Sequence, residues 1–123
     1  MSQDLVADAL NRIMNAKRAK RESLIITRFS KLLINVLDIM KEYSYVDYEL
    51  SEKELKIILK EVNSCKAIKP RYTVNTDTLE KYIRRFLPAR NFGFVIVSTS
   101  KGLMTHYEAK EKNVGGSLIA FVY

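Results

Sequence analysis

A chain of 123 residues with 47% hydrophobic and 28% charged side chains fits one ordinary domain or two small ones, and its composition excludes disorder as the default state. The net charge of +7 and a pI of about 9.5 favour polyanionic partners (RNA, DNA or an anionic membrane) without specifying a fold. Cys65 and His106 are the only residues of their types, which excludes an internal disulfide and a four-ligand zinc site and points to a reducing compartment, and no apolar run approaches the ~20 residues of a membrane span.

Ser2 or Asp4 can cap a first helix, whose apolar positions Leu5/Val6, Ala9, Leu10 and Ile13/Met14 share one face and run out near Ala16. Asp4 and Asp8 in this start are unlike a secretory signal, so export is not expected. Residues 17–21 are too charged for a core and predict a loop. Residues 23–27 are a short β-branched strand. Ser30 then caps a second helix with Leu33, Val36, Leu37 and Met40 on its apolar face. Residues 45–50 and 54–61 predict two strands joined by a turn at Ser51, Glu52 and Lys53. In the second strand, Leu55, Ile57 and Leu59 recur at every second position, with the charges Glu54, Lys56 and Lys60 between and around them, the pattern of a half-buried antiparallel strand.

Residues 63–66 predict a link, and the second half opens with a segment that includes Pro70, Arg71 and Tyr72. A short helix is expected over 77–86, stopped before Pro88. An apolar strand follows over 92–97, with Phe92 and Phe94 expected in the core alongside Phe121. Thr105 and Glu108 have capping-box spacing, so a helix of about two turns should begin there and end at Asn113. His106, just past the cap, is expected at the surface. Gly115 and Gly116 predict a turn, and residues 118–123 a last strand. The expected fold is α+β, in two small domains: residues 1–63 as α-β-α-β-β, and residues 64–123 as mainly β with short helices.

Charge is segregated along the chain. Residues 12–31 hold seven basic side chains and one acid, and residues 66–101 hold eight basic side chains and two acids. Residues 38–61 between them hold seven acids against four lysines. Two basic blocks around an acidic middle suggest a bipartite footprint for a polyanion.

The most informative stretch is Ser98, Thr99, Ser100, Lys101 and Gly102, where an apolar strand gives way to three hydroxyls, a cation and a glycine. Read as a tight strand-to-helix loop, it would offer backbone N–H groups, hydroxyl donors and acceptors, and a positive charge. Phosphates, ribose hydroxyls and base edges call for those groups. The same residues satisfy the serine-lysine pattern S-x-x-K, but the S-D-N and K-T-G segments that accompany it in penicillin-recognising enzymes are missing. Neither nucleotide-loop motif occurs. With one histidine and no paired acids in a plausible pocket, no enzymatic activity and no cofactor are expected. Tyr72 beside Arg71 could stack on a base or ribose. A general nucleic-acid-binding or transcription factor fits the charge but lacks a helix-turn-helix or finger signature. A protein-interaction role for the acidic middle is compatible with RNA binding elsewhere.

Five ordered segments carry a resemblance: "DLVADALNRIMNAKRAKR", "SKLLINVLDIMKEYSYV", "KAIKPRYTV", "LPARNFG" and "IVSTSKGLMTHYEAKEKNVGGSLIAFVY". Together they span nearly the whole chain, which resembles the universal small-subunit ribosomal protein S-eight family, closest to its archaeal and eukaryotic branch. The chain departs from the family pattern at four places. Ser44 stands where many relatives have glycine, Thr73 where archaeal relatives often have proline, Asn113 where many have glycine, and Ser117 where bacterial relatives often have glutamate.

The resemblance implies a cytoplasmic two-domain protein that binds small-subunit rRNA directly in the central domain, early in assembly, and adjoins other small-subunit proteins. It implies no membrane and no small-molecule substrate. Carried over residue by residue, the implied RNA contacts are Ser98, Thr99, Ser100, Lys101 and Gly102 in the second half. In the first half they are Asn15, Lys17, Arg18 and Lys20. Arg71 and Tyr72 are weaker carry-overs.

Overall fold

The computed structural model describes residues 4–69, 71–89 and 92–123. The alternative cap Ser2 and the segment residue Pro70 lie outside them. The chain forms two compact units, which meet in sequence at Cys65 and Lys66.

In the first unit, helix α1 (Leu5–Arg18) is capped by Asp4, whose carboxylate accepts the Ala7 N–H at 3.0 Å. It runs past Ala16, so Lys17 and Arg18 are its last turn rather than loop. That suits them, because cations at a helix C-terminus meet its exposed carbonyls. Strand β1 (Ser23–Ile26), helix α2 (Lys31–Glu42), strand β2 (Val46–Leu50) and strand β3 (Leu55–Leu59) follow. Ser30 caps α2 through the Leu33 N–H, and its four predicted apolar residues are its buried ones. The strands form an antiparallel sheet in the order β1-β3-β2. Leu10 and Ile13 of α1, Leu33 and Leu37 of α2, and Leu55 and Ile57 of β3 are fully buried and form its core.

The second unit holds strands β4 (Cys65–Ala67) and β5 (Thr73–Val74), helix α3 (Thr76–Phe86), strands β6 (Phe94–Thr99) and β7 (Gly102–Thr105), helix α4 (His106–Glu111) and strand β8 (Gly116–Val122). Its sheet runs β4-β8-β6-β7, with β5 also paired to β8. Asn75 and Thr78 form a reciprocal capping box on α3. Leu79 and Ile83 of α3 pack on one sheet face, against Val95, Val97, Met104 and Leu118. The α+β class holds.

Four further expectations change. The link over 63–66 contains the start of β4. Phe92 lies outside β6 and is 47% exposed, with its ring against Tyr123. His106 is buried, not on the surface. The strand-to-helix loop is a hairpin, because β7 intervenes between Lys101 and the helix that Thr105 caps. The backbone N–H groups of a helix start are therefore not part of this loop.

Helices α1, α2 and α4 end alike. At α1, the Lys20 N–H donates to Lys17 O and the Arg21 N–H to Ala16 O. At α2, Ser44 and Tyr45 donate to Lys41 O and Met40 O. At α4, Asn113 and Val114 donate to Lys110 O and Ala109 O. These are Schellman endings, which need a left-handed residue after the cap. Lys20, Ser44 and Asn113 supply it with φ of 60°, 65° and 54°, and none is glycine.

Candidate nucleic-acid interface

In the second unit, β6 carries Ser98 and Thr99 to its end and turns back through Ser100 and Lys101, with Thr99 opposite Gly102. Gly102 has φ +107°, and a Cβ there would meet nothing within 4 Å. Glycine is needed for its backbone angle, as in short hairpins closed by a residue of positive φ. Thr99 Oγ1 accepts the Lys101 N–H at 3.1 Å and donates to Gly102 O at 2.9 Å. That hydroxyl is committed to the turn. Ser100 and Lys101 stand exposed at its tip.

The register extends the hydroxyl set. Ser98 is opposite Ser117 on β8, and Ser117 is opposite Thr73 on β5. Directly opposed residues share a face, so Thr73, Ser117 and Ser98 form a cross-strand row. Among the described residues, no hydrogen bond within the chain involves these three side chains or that of Ser100. Gly116 makes the row possible, because a Cβ there would lie 2.0 Å from Ser98 O. Only glycine lets β8 approach β6 that closely.

Tyr72 and Arg71 are not brought to this row. Tyr72 O accepts the Leu118 N–H, and its half-buried ring stacks on Tyr82 at 5.0 Å, with the Arg85 guanidinium 5.6 Å from its centroid. The ring is thus engaged inside the chain rather than set out as a platform for a base. Arg71 is exposed.

In the first unit, Asn15, Lys17, Arg18 and Lys20 are all exposed around the end of α1. Asn15 and Arg18, one turn apart, are linked by a 3.4 Å hydrogen bond from Nη1 to Oδ1. Lys17 reaches away to donate to Asn63 O at 3.0 Å. Lys20 projects from the left-handed position. Beside them lies an open groove of about 500 Å³, lined by Arg12, Asn15, Arg21, Leu24 and Ile25. It combines cations, an amide and an apolar floor. Of the four expected residues, only Asn15 lines it.

Neither Cys65 nor His106 is set up as a reactive group. Burial pushes the Cys65 thiol up to about 12, and its Sγ lies 3.7 Å from Leu10 O. Burial first, and then the nearby Lys110 charge, lower His106 to about 4, against a smaller opposing effect of Glu80. Its Nδ1 accepts the Val95 N–H at 3.1 Å, the bond of a neutral imidazole. Among the described residues no acid, cysteine and histidine cluster could hold a metal, and no helix is long and apolar enough to cross a membrane.

A family profile for ribosomal protein S8 matches residues 4–123. The chain is 45% identical to small ribosomal subunit protein uS8 of Nanoarchaeum equitans over the full length of both. It is 43% identical to that of Methanococcoides burtonii, covering 98% of this chain and 97% of the relative. The identity to that of Thermoplasma volcanium is 40%, again over the full length of both. The chain belongs to the ribosomal protein S8 family.

Membership makes it a structural constituent of the small ribosomal subunit and not an enzyme. In the sequence, Thr73 and Ser117 stand out only as departures from the family pattern, and Arg12 and Arg21 only as members of a basic block. Strand register joins the first pair to Ser98. Helical spacing is the available signal for Arg12, three residues before Asn15.

Proposed function

We propose that this protein binds small-subunit rRNA directly in the central domain, and helps to organise that domain during assembly. It would do so beside neighbouring small-subunit proteins and in the cytoplasm. The observation that carries the reading is the end of the second sheet. There Thr73, Ser117 and Ser98 hold three unused hydroxyls in a row, and Ser100 and Lys101 project beside them.

A-form RNA hides its base edges in a deep, narrow groove but displays ribose hydroxyls in a wide, shallow one. Short hydroxyl side chains on a rigid hairpin suit the shallow groove, since they donate and accept without bulk. Lys101 adds a phosphate contact. Thr99 and Gly102 contribute by closing the turn. Asn15, Lys17, Arg18 and Lys20 supply a second, cationic contact from the first unit. Arg71 joins as an exposed cation, while Tyr72 acts through packing rather than stacking on a base.

The test compares a central-domain rRNA fragment with a scrambled RNA of equal length at near-physiological salt. A preference of roughly a thousand-fold is expected. Ser98→Ala combined with Ser100→Ala should weaken specific binding by about 1–3 kcal/mol and leave scrambled-RNA binding nearly unchanged. Equal affinity of the unaltered protein for both RNAs would overturn the reading.

A further inference from the structure

Helix α3 carries Lys81, Arg84 and Arg85, all exposed. Its Asp77 lies in the first turn, and Glu80 is taken up by Lys110 of α4. Among the described residues, none of the three cations is within ion-pair distance of a carboxylate. A helix with three cations in its last two turns, none of them paired with a carboxylate among the described residues, has a strong positive local field.

Arg85 is also held in place. Its guanidinium lies over two rings at once, 5.6 Å from the centroid of Tyr72 and 5.6 Å from that of Phe86. Those rings belong to a continuous aromatic series. Tyr72 stacks on Tyr82, Tyr82 on Phe86, Phe86 on Phe121, and Phe121 on Tyr123, at 5.0, 6.4, 5.5 and 6.0 Å. Such a series packs as a unit, so the two rings under Arg85 are a fixed seat. A guanidinium resting on aromatic faces keeps its N–H edges free to grip an anion, and it has lost rotamer freedom in advance. A bare surface lysine has no such seat. Position matters too. The N-terminal end of α3 lies against the Gly115 turn, close to the hydroxyl row, since a Cβ on Gly115 would approach Asn75 Cα to 2.9 Å. Thr73 and Ser117 alternate with Val74 and Leu118, so the hydroxyl row and the core that Tyr72 packs against lie on opposite faces of the sheet, and Arg85 sits with Tyr72. One hairpin seated in one groove would not bring the same nucleotides to both places.

We infer that Arg85, seated on Tyr72 and Phe86 and flanked by Lys81 and Arg84, is a second phosphate-binding site. It grips the backbone of an rRNA segment other than the one that meets the Ser98–Ser117 row. The inference rests on the rRNA-binding reading above. It also gives Tyr72 its role, as the residue that positions Arg85. An acidic protein segment is the competing occupant. The fork geometry of arginine and the polyanion bias of the whole chain favour phosphate.

The test uses the full chain bound to the central-domain rRNA fragment. Cys65 is buried and its thiol is pushed up to about 12, so a new surface cysteine can be labelled selectively. A photo-cross-linker is placed in separate proteins at Lys81→Cys, one turn from Arg85, and at Ser100→Cys. The expected result is RNA cross-links from both, at different segments. In parallel, Arg85→Ala should weaken binding to the fragment by about three- to tenfold, and make its salt dependence shallower by about 0.7–0.9 in log–log slope, the share of one phosphate. Lys56→Ala, the same charge change in the acidic middle, should leave both unchanged.

Cross-links from Ser100→Cys but none to RNA from Lys81→Cys, with Arg85→Ala binding normally, would overturn this site and leave the rRNA reading standing. A protein cross-link at Lys81→Cys in assembled subunits, in place of RNA, would overturn it in favour of the acidic segment. No cross-link from either position would remove the rRNA reading and this site together.

Discussion

Protonating His106 at Nδ1 would break the hydrogen bond it accepts from Val95. Strand β7 stops at Thr105, opposite Ile96, so the Val95 N–H lies one residue beyond the last β6–β7 pair. The His106 ring takes it at 3.1 Å. Because the folded-state pKa is lowered from 6.5 to about 4, the unfolded chain takes up the proton first as pH falls. The stability that the neutral ring confers is complete above about pH 6.5 and is lost as pH falls from there towards 4. Urea unfolding at pH 7.5 and pH 5 should show a lower midpoint at pH 5. In His106→Gln, an amide oxygen can accept the same N–H without titrating, so the difference between the two pH values should shrink. A difference of equal size in both proteins would refute this account. The sequence presents only a lone histidine after a capping threonine, and in most folds that is surface. Its burial depends on where β7 ends, a tertiary fact.

Legibility at the level of elements follows length and period. Helix α2 can be read outright, because Ser30 fixes its start and Leu33, Val36, Leu37 and Met40 recur at helical spacing. Strand β7 cannot, because four residues starting with glycine carry no alternation, and Ser98, Thr99 and Ser100 before it look like loop. Strands β4 and β5, three and two residues long, fail for the same reason. The cross-strand hydroxyl row is invisible in sequence, since Thr73, Ser98 and Ser117 are joined only by register. Helix ends are partly legible. Asn113 is a plausible left-handed residue, whereas serine at 44 and lysine at 20 give no such sign. A side chain in that conformation costs about 1–2 kcal/mol relative to glycine, and glycine returns part of this through the greater freedom of the unfolded chain. Ser44→Gly should therefore raise stability by about 0.5–1 kcal/mol, read as a higher urea midpoint at unchanged slope. Ser44→Ala, which keeps a Cβ, should give no such gain. If both behaved alike, backbone strain at residue 44 would not be the cause.

Over the whole molecule, charge and hydroxyl chemistry divide the work of binding. The acidic middle is partly bound up in its own unit, where Tyr48 donates to Asp38 and Lys41 pairs with Asp47 at 3.2 Å. The cations at the end of α1 have little such neutralisation. Lys17 uses one donor on Asn63 O and keeps its charge, and among the described residues Arg18 bonds only the Asn15 amide. Replacing Lys17, Arg18 and Lys20 together by glutamine removes three charges from exposed positions. If each meets a phosphate, the log–log salt slope should become shallower by about 2–3, with up to roughly a hundredfold loss of affinity at physiological salt. Cations on phosphates carry no sequence information, so central-domain and scrambled RNA should lose affinity equally and their ratio should hold. The Ser98 and Ser100 double change should do the opposite, lowering the ratio at an unchanged slope. Titrating both variants against both RNAs over a range of salt separates the two effects. Should the triple change lower the ratio while leaving the slope intact, the end of α1 would be reading the RNA rather than holding it, and the division of labour between the two units would have to be reversed.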